Sequence, residues 1–200
     1  MQFEIDGKDK DRAYELLSTL ITPRPIAWVT TVNEAGLINA APYSFFNVFG
    51  TKPPIVAFAP GNLSSGKPKD TAANIESTGE FVVNLVDEAI AEAMHLTSAS
   101  EPSEVNELEV AGLETLASEK IRPPRIANAP VSMECTVHDS LIIGENRMVI
   151  GYVHVLHVRD GVLDPETLHL NAEAFPVIGR MFGSGYTKTR ERFDIELPQA

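Results

Sequence analysis

The chain has 200 residues, 44% of them hydrophobic, which is enough to bury one sizeable core and fits a single domain over 1–200. Its formal net charge of −12 argues against a nucleic-acid or acidic-membrane partner, because phosphate backbones call for a basic face. Cys135 stands alone, MQFEIDGKDK lacks the apolar segment of a secretory leader, and no apolar run approaches the roughly 20 residues of a membrane helix. A soluble, cytoplasmic globular protein is expected.

Asp9 to Leu20 has helical spacing, with Tyr14, Leu16, Leu17 and Leu20 apolar among charges. Thr22-Pro23-Arg24-Pro25 ends it, since proline forbids helix and pushes its predecessor extended. Ile26 to Val32 and Leu37 to Tyr43 flank the turn letters Asn33-Glu34-Ala35-Gly36 and predict a hairpin. Pro54 to Phe58 and Phe81 to Val86 predict two more strands. Between them a short helix, Thr71 to Ser77, closes at Gly79. Asp87 to Thr97 reads as helix, and 98–130 as irregular apart from a short helix near Glu104 to Ala111. Two long strands follow, Val131 to Asp139 and Met148 to Arg159, joined near Gly144-Glu145-Asn146. Many antiparallel strands with few helices predict a mainly β barrel or sandwich with flanking helices.

Residues 61 to 71, GNLSSGKPKDT, nearly spell the phosphate-cradling loop G-x-x-x-x-G-K-[ST]. Pro68 stands where the hydroxyl that ligates magnesium should be, and it also lacks the backbone amide. A nucleoside triphosphatase is therefore the third reading, and a solvated surface turn is the plain one. A metal-free site for a phosphate monoester fits more of the letters. Ser64, Ser65, Lys67, Lys69 and Thr71 gather hydroxyls and ammonium groups just before a helix N-terminus, where free amides favour an anion.

The wider pattern is similar to the FMN-binding split-barrel flavin reductases, which include flavoredoxin-like proteins. The resemblance is carried by TPRPIAWVTT (22–31), GLINAAPYSFFN (36–47), PPIV (53–56), KDTAAN (69–74) and EFVVN (80–84). It continues through NELEVAGL (106–113), PPRIANAPVSMEC (123–135), GYVHVLHV (151–158), DGVLD (160–164) and the tail around Tyr186. It implies a six-stranded antiparallel split barrel, usually a homodimer, that binds FMN and passes hydride or electrons through it. It also implies that Asn39 to Asn47 meet the ring and ribityl chain, through Asn39, Ala40, Ala41, Tyr43, Ser44, Phe45 and Asn47. Lys69, Asp70 and Thr71, with Ser64 and Ser65 upstream, would meet the phosphate. Arg24, Thr30 and Thr31 would lie near the ligand, and Tyr186 near the ring.

Ala40 and Ala41 are small enough for a close backbone approach, and Pro42 fixes a bend. Ordinary hairpin-end chemistry would use the same letters. Phe45 and Phe46 are adjacent, so in a strand they face opposite ways. Trp28 reads as core. His154 and His157, three apart on a strand, should also face opposite ways, which speaks against a metal pair. His95 and His169 have no sequence partner. Cys135 sits among Val131, Met133 and Val137 and reads as a buried, inert thiol. The basic run Lys188, Arg190, Arg192 is either a solvated tail or a contact for NAD(P)H or a partner.

The expectation is an FMN-dependent oxidoreductase taking hydride from NAD(P)H and passing electrons to a small-molecule substrate or acceptor. The cofactor carries the chemistry, so no catalytic side chain is required. The second reading is a non-catalytic FMN-binding electron carrier on the same barrel.

Overall fold

The computed structural model describes residues 1–63, 65–99 and 106–196. Its main element is one seven-stranded antiparallel sheet, with the order β2-β1-β5-β8-β9-β4-β3. The strands are β1 (Ala27–Val32), β2 (Ile38–Tyr43), β3 (Phe46–Thr51), β4 (Pro54–Phe58), β5 (Glu80–Asn84), β8 (Val131–Ile143) and β9 (Asn146–Val158). Two-stranded ribbons pair β6 (Thr115–Leu116) with β7 (Arg125–Ile126), and β10 (Ile178–Arg180) with β11 (Tyr186–Lys188). The helices are α1 (Ala13–Leu20), α2 (Asp70–Thr78), α3 (Ala91–Leu96) and α4 (Glu107–Val110). None of the described helices is long and apolar enough to cross a membrane.

The first hairpin forms where its turn letters place it. Asn33 and Leu37 bond through their backbones at 3.0 Å, Asn33 Oδ1 accepts from Leu37 N, and Gly36 takes φ +85°. The register runs from Ala27↔Tyr43 to Val32↔Ile38. The sheet then rolls up. Tyr43, on edge strand β2, packs at 5.3 Å on Phe58 of β4, near the opposite end of the strand order, and Phe58 packs at 5.4 Å on Phe81 of β5. Such contacts require the sheet to close over one interior. That interior also holds Val29, Val83, Cys135 and Val149. Gly151 is required there: a Cβ on it would fall 2.4 Å from Phe81 Cζ.

The architecture is the antiparallel barrel expected, with differences in detail. The expected six strands become seven because Phe46–Thr51 pairs with β4 at the sheet's edge. Its residues are mostly exposed on both faces, so no in–out alternation marks it in the sequence. The 87–97 helix is a 3₁₀ turn at Glu88–Ile90 running into α3, started by Asp87 accepting from Ala89 N at 3.1 Å. α2 ends as expected, with Gly79 left-handed and its N–H on Ile75 O at 2.9 Å. α1 does not bury its apolar residues: Tyr14, Leu17 and Leu20 are exposed, and Ser18 is the buried one.

The 61–69 loop is no triphosphate cradle. It follows β4, which pairs antiparallel with both neighbours, whereas the cradle motif needs a parallel strand. It also folds on itself, Leu63 N donating to Lys67 O and Gly66 N to Leu63 O, each at 2.8 Å.

Candidate functional site

Two hollows meet at the end of the first hairpin. One, of about 170 Å³, lies between Tyr14 and Ser18 of α1, Ser44 after β2, Met94 and His95 of α3, and the 180–186 segment. The other, of about 120 Å³, runs from Asn39 and Ala41 to Lys69, Asp70, Thr71 and Glu107. Pro42, Tyr43 and Ser98 line both, so they form one elongated cleft.

Arg24 builds the first end. Its guanidinium is buried, and burial lowers its pKa while leaving it a permanent cation. Nη1 donates to Ser18 O and to Ile21 O (3.0 Å), Nη2 to Met181 O (3.1 Å), and Nε to Ser44 Oγ (3.2 Å). One side chain thus joins the end of α1, the tail segment and the bend after β2. Backbone bonds between Arg24 and Arg180, at 3.0 and 2.8 Å, fix the same junction. Arg180 lies over the Tyr186 ring at 4.7 Å and donates to Gly183 O. His95 Nδ1 is 3.2 Å from Tyr186 Oη, and the two rings meet edge-on at 87°. This end of the cleft is therefore aromatic-walled and cationic.

The second end is a hydrogen-bond relay. Thr71 Oγ1 accepts from Tyr43 Oη at 2.9 Å, and with the Asn39 amide assigned in the orientation that satisfies both its ends, Thr71 Oγ1 donates to Asn39 Oδ1 at 2.8 Å and Asn39 Nδ2 donates to Glu107 Oε1 at 3.2 Å. Glu107 Oε2 accepts from Ala40 N at 3.0 Å. Burial raises the Tyr43 phenol to about 12, with the Glu107 and Asp70 carboxylates adding to the effect and the Thr71 bond opposing it. Lys69 is the exposed N-cap of α2, and no side chain caps that helix. Lys69, Asp70 and Thr71 line the cleft there, so an ammonium group and a carboxylate stand side by side at the uncapped start of α2.

The structure brings Arg24, Asn39, Ala41, Tyr43, Ser44, Lys69, Asp70, Thr71 and Tyr186 to this cleft. Phe45 stands at its margin, exposed, under Arg24 at 5.7 Å and beside Tyr14 at 6.3 Å, while Phe46 packs into the barrel. Ala40 is fully buried and meets the cleft residues through its amide bond to Glu107. Ser65 is exposed in the 61–69 turn, and Ser64 lies outside the described residues.

Three expected residues are placed elsewhere. Thr30 and Thr31 line neither hollow, because β1 is buried on both faces. Thr30 Oγ1 donates to Pro124 O (2.6 Å), and Thr31 Oγ1 accepts from Asn74 Nδ2 (3.0 Å). Asn47 lies on β3 beside Val48 and His154, in a separate groove. Sequence reasoning missed His95 and Glu107, whose contacts lie 91 and 67 residues away.

The model of the flavin reductase like domain matches residues 19–179. The chain belongs to the flavin reductase-like family. Its oxidoreductase function is flavin-related. An uncharacterised protein of Deinococcus radiodurans is 41% identical over 199 residues, covering 96% of this chain and 88% of its own length. The structure of Pseudomonas fluorescens 2-nitrobenzoate 2-nitroreductase superposes with a TM-score of 0.89 at 35% identity, covering 99% of this chain and 96% of that one. Nitrilotriacetate monooxygenase component B from Bacillus cereus gives 0.92 at 32% identity, covering 98% of each.

The cleft of this flavin reductase-like chain suits a flavin along its length. A flat aromatic ring matches the end walled by Tyr186, Met94 and Arg180, ribityl hydroxyls match the acceptors Asn39 and Glu107, and a phosphate matches Lys69 and the uncapped start of α2.

Proposed function

We propose that this protein is an FMN-dependent oxidoreductase of the flavin reductase type, taking hydride from NAD(P)H and passing electrons to a separate small-molecule acceptor. The observation that carries this reading is the polarity of the cleft, aromatic and cationic at Tyr186 and Arg180, ending at Lys69 and the start of α2. A terminal phosphate monoester suits that second end. A flavin held there by Lys69, Asn39, Glu107 and the Tyr186 wall would supply the two-electron redox chemistry.

The chain's own groups bind and orient. Arg24 fixes the walls of the ring end by holding Ser44 and the Met181 carbonyl. Thr71, Tyr43 and Asn39 stiffen the middle, and a phenol raised to about 12 stays neutral and keeps donating at working pH. Cys135 is excluded as a nucleophile, because burial drives its thiol well above the ordinary range and it lies inside the barrel.

The reading includes a cytoplasmic homodimer. A single buried cysteine, which leaves no internal disulfide, fits the compartment. Dimerisation is supported by exposed apolar side chains on α1 (Tyr14, Leu17, Leu20) and on edge strand β3 (Val48, Phe49). Light scattering that reports a monomer at micromolar concentration would remove the dimer from the proposal.

The test is the absorbance spectrum of purified, FMN-loaded protein, followed by anaerobic NADH or NADPH. A flavin band that bleaches within turnover times supports the reductase. A bound band that NAD(P)H leaves intact makes the protein a flavin-binding electron carrier, and absence of flavin binding rejects both.

A further inference from the structure

Behind Tyr186 lies a larger hollow, which shares only His95 and Tyr186 with the cleft. It runs between α3 and β11, measures about 580 Å³, and is lined by apolar Ala91, Leu96 and Ile178 and by the hydroxyl residues Ser184 and Thr187. His95 and Tyr186 line both this groove and the ring end of the cleft. The edge-on His95–Tyr186 pair is therefore a shared partition, one aromatic side chain thick.

The charges around the groove are unequal. Glu88 is held by Arg190 at 2.6 Å and by Lys188 at 2.8 Å, and these partners, Arg190 first, pull its carboxyl down to about 2. Two carboxylates, Glu88 and Glu92, and one ammonium, Lys188, line the groove, and Arg190 reaches Glu88 from outside that lining. Glu92 forms no ion pair among the described residues. Among the described lining residues an anionic ligand would meet two carboxylates and a single ammonium already paired with one of them. The diphosphate of a nicotinamide dinucleotide fits poorly for the same reason. An uncharged aromatic molecule meets an apolar floor, two hydroxyls and the edge of Tyr186, in a volume within the roughly 300–1,000 Å³ usual for small-ligand sites.

We infer that this groove seats a small uncharged aromatic molecule, the acceptor, next to the His95–Tyr186 partition. The role of acceptor rests on the flavin reading above, whereas the binding and its charge preference rest on the groove alone. Equilibrium dialysis of the oxidised, FMN-loaded protein, without nicotinamide, measures binding in the absence of turnover. The probes are 1,4-naphthoquinone and its 2-sulfonate, which differ in one negative charge. The neutral probe should bind about tenfold more tightly than the sulfonate. Leu96→Glu, at an exposed position that tolerates charge, should weaken naphthoquinone about tenfold and leave FMN affinity unchanged. Glu92→Gln should tighten sulfonate binding roughly two- to fivefold, the scale of one exposed charge contact. Equal affinity for the two probes, indifference of naphthoquinone to Leu96→Glu, or FMN displaced into the dialysate by naphthoquinone would each overturn the proposal. If the protein takes up no FMN, the flavin reading fails separately, and the same dialysis on the flavin-free chain still decides the groove.

Discussion

Two buried charges hold two loops in this molecule, and they do so with opposite chemistry. Arg24 donates to the carbonyls of Ser18, Ile21 and Met181 at the cleft. Glu134, fully buried on β8 and away from the cleft, accepts from the amides of Glu119 and Lys120, each at 2.8 Å, and from His157 Nε2 at 2.7 Å. Each spends an ion on backbone groups that would otherwise go unpaired in a loop. The difference lies in titration. A guanidinium keeps its charge across the working pH range, so the junction of α1, the bend after β2 and the Met181 segment is clipped independently of pH. A carboxylate can be neutralised, so the 118–123 loop is held by a bond that acid removes. The ring end of the cleft takes the clip that cannot titrate, while its other end uses the Glu107 carboxylate.

Removing Arg24 is the most severe way to break this comparison. Arg24→Ala strips the donor from three carbonyls at once, two of them only part-buried, and at the low end of roughly 1–3 kcal/mol for each group left unpaired the loss should total about 3 kcal/mol. Flavin affinity should fall with it, because Ser44 and Met181 lose their common anchor. Urea unfolding and flavin titration of the variant measure the two losses. An intact cleft in a destabilised protein would show that Arg24 serves the fold alone.

Lys69→Ala tests the other end of the cleft without touching the fold. A charge-assisted contact contributes about 1.5–3 kcal/mol, so FMN affinity should drop roughly ten- to hundredfold. Riboflavin, which lacks the phosphate, should bind the variant as it binds the parent. Fluorescence titration with both flavins separates these outcomes, and equal losses would place the phosphate elsewhere.

Glu134→Gln sharpens the comparison from the other side. Burial opposes ionisation of Glu134, but the Glu119 amide, His157 and the Lys120 amide outweigh it and hold the carboxyl below its usual range. A folded-state pKa below the unfolded value of about 4.3 means stability that is present above that pH and lost as acid titrates the folded group. The variant should therefore lose about 1–3 kcal/mol at neutral pH and show a flatter acid limb below pH about 4.3. Its FMN affinity should not change. Thermal melts across pH 3–7, set beside flavin titrations, provide both readouts.

How much of this could be read from the letters depends on how local each signal is. Asn33 to Gly36, Gly79 and the Gly144-Glu145 turn are short-range signals, and the elements they bound appear within a few residues of expectation. The strand Phe46–Thr51 was illegible because an exposed edge strand needs no alternation. Thr30 and Thr31 misled because the shared motif marks a position near the site, whereas burial of β1 on both faces turns their hydroxyls to Pro124 and Asn74. Arg24 was legible as a site residue, but its task of clipping three carbonyls depends on Met181, 157 residues away. His95 and Glu107 carried no local signal, because tertiary packing alone brings them to Tyr186 and Ala40.

The smallest expected effects belong to the remaining titratable side chains. Four have a structural occupation: His154 bonds Thr136 at 2.6 Å, His157 bonds Glu134, His138 packs tilted against Tyr152 at 4.7 Å, and Cys135 is sealed in the barrel. His95 alone among the histidines lines the cleft, and it does so as the partner of Tyr186. If hydride passes between nicotinamide and flavin without a protein acid or base, alanine at His95, Cys135, His138, His154, His157 or His169 should keep flavin reduction at saturating FMN. General acid–base catalysis typically contributes about a hundred- to ten-thousandfold, so a true proton donor would stand clear of packing losses. Anaerobic stopped-flow bleaching, with folding checked by circular dichroism, gives the rate for each variant. His95→Ala is the sharpest of the six, because releasing Tyr186 should alter flavin affinity more than the bleaching rate. A folded, FMN-loaded His95→Ala protein that no longer bleaches would make His95 a catalytic acid and overturn the cofactor-only chemistry.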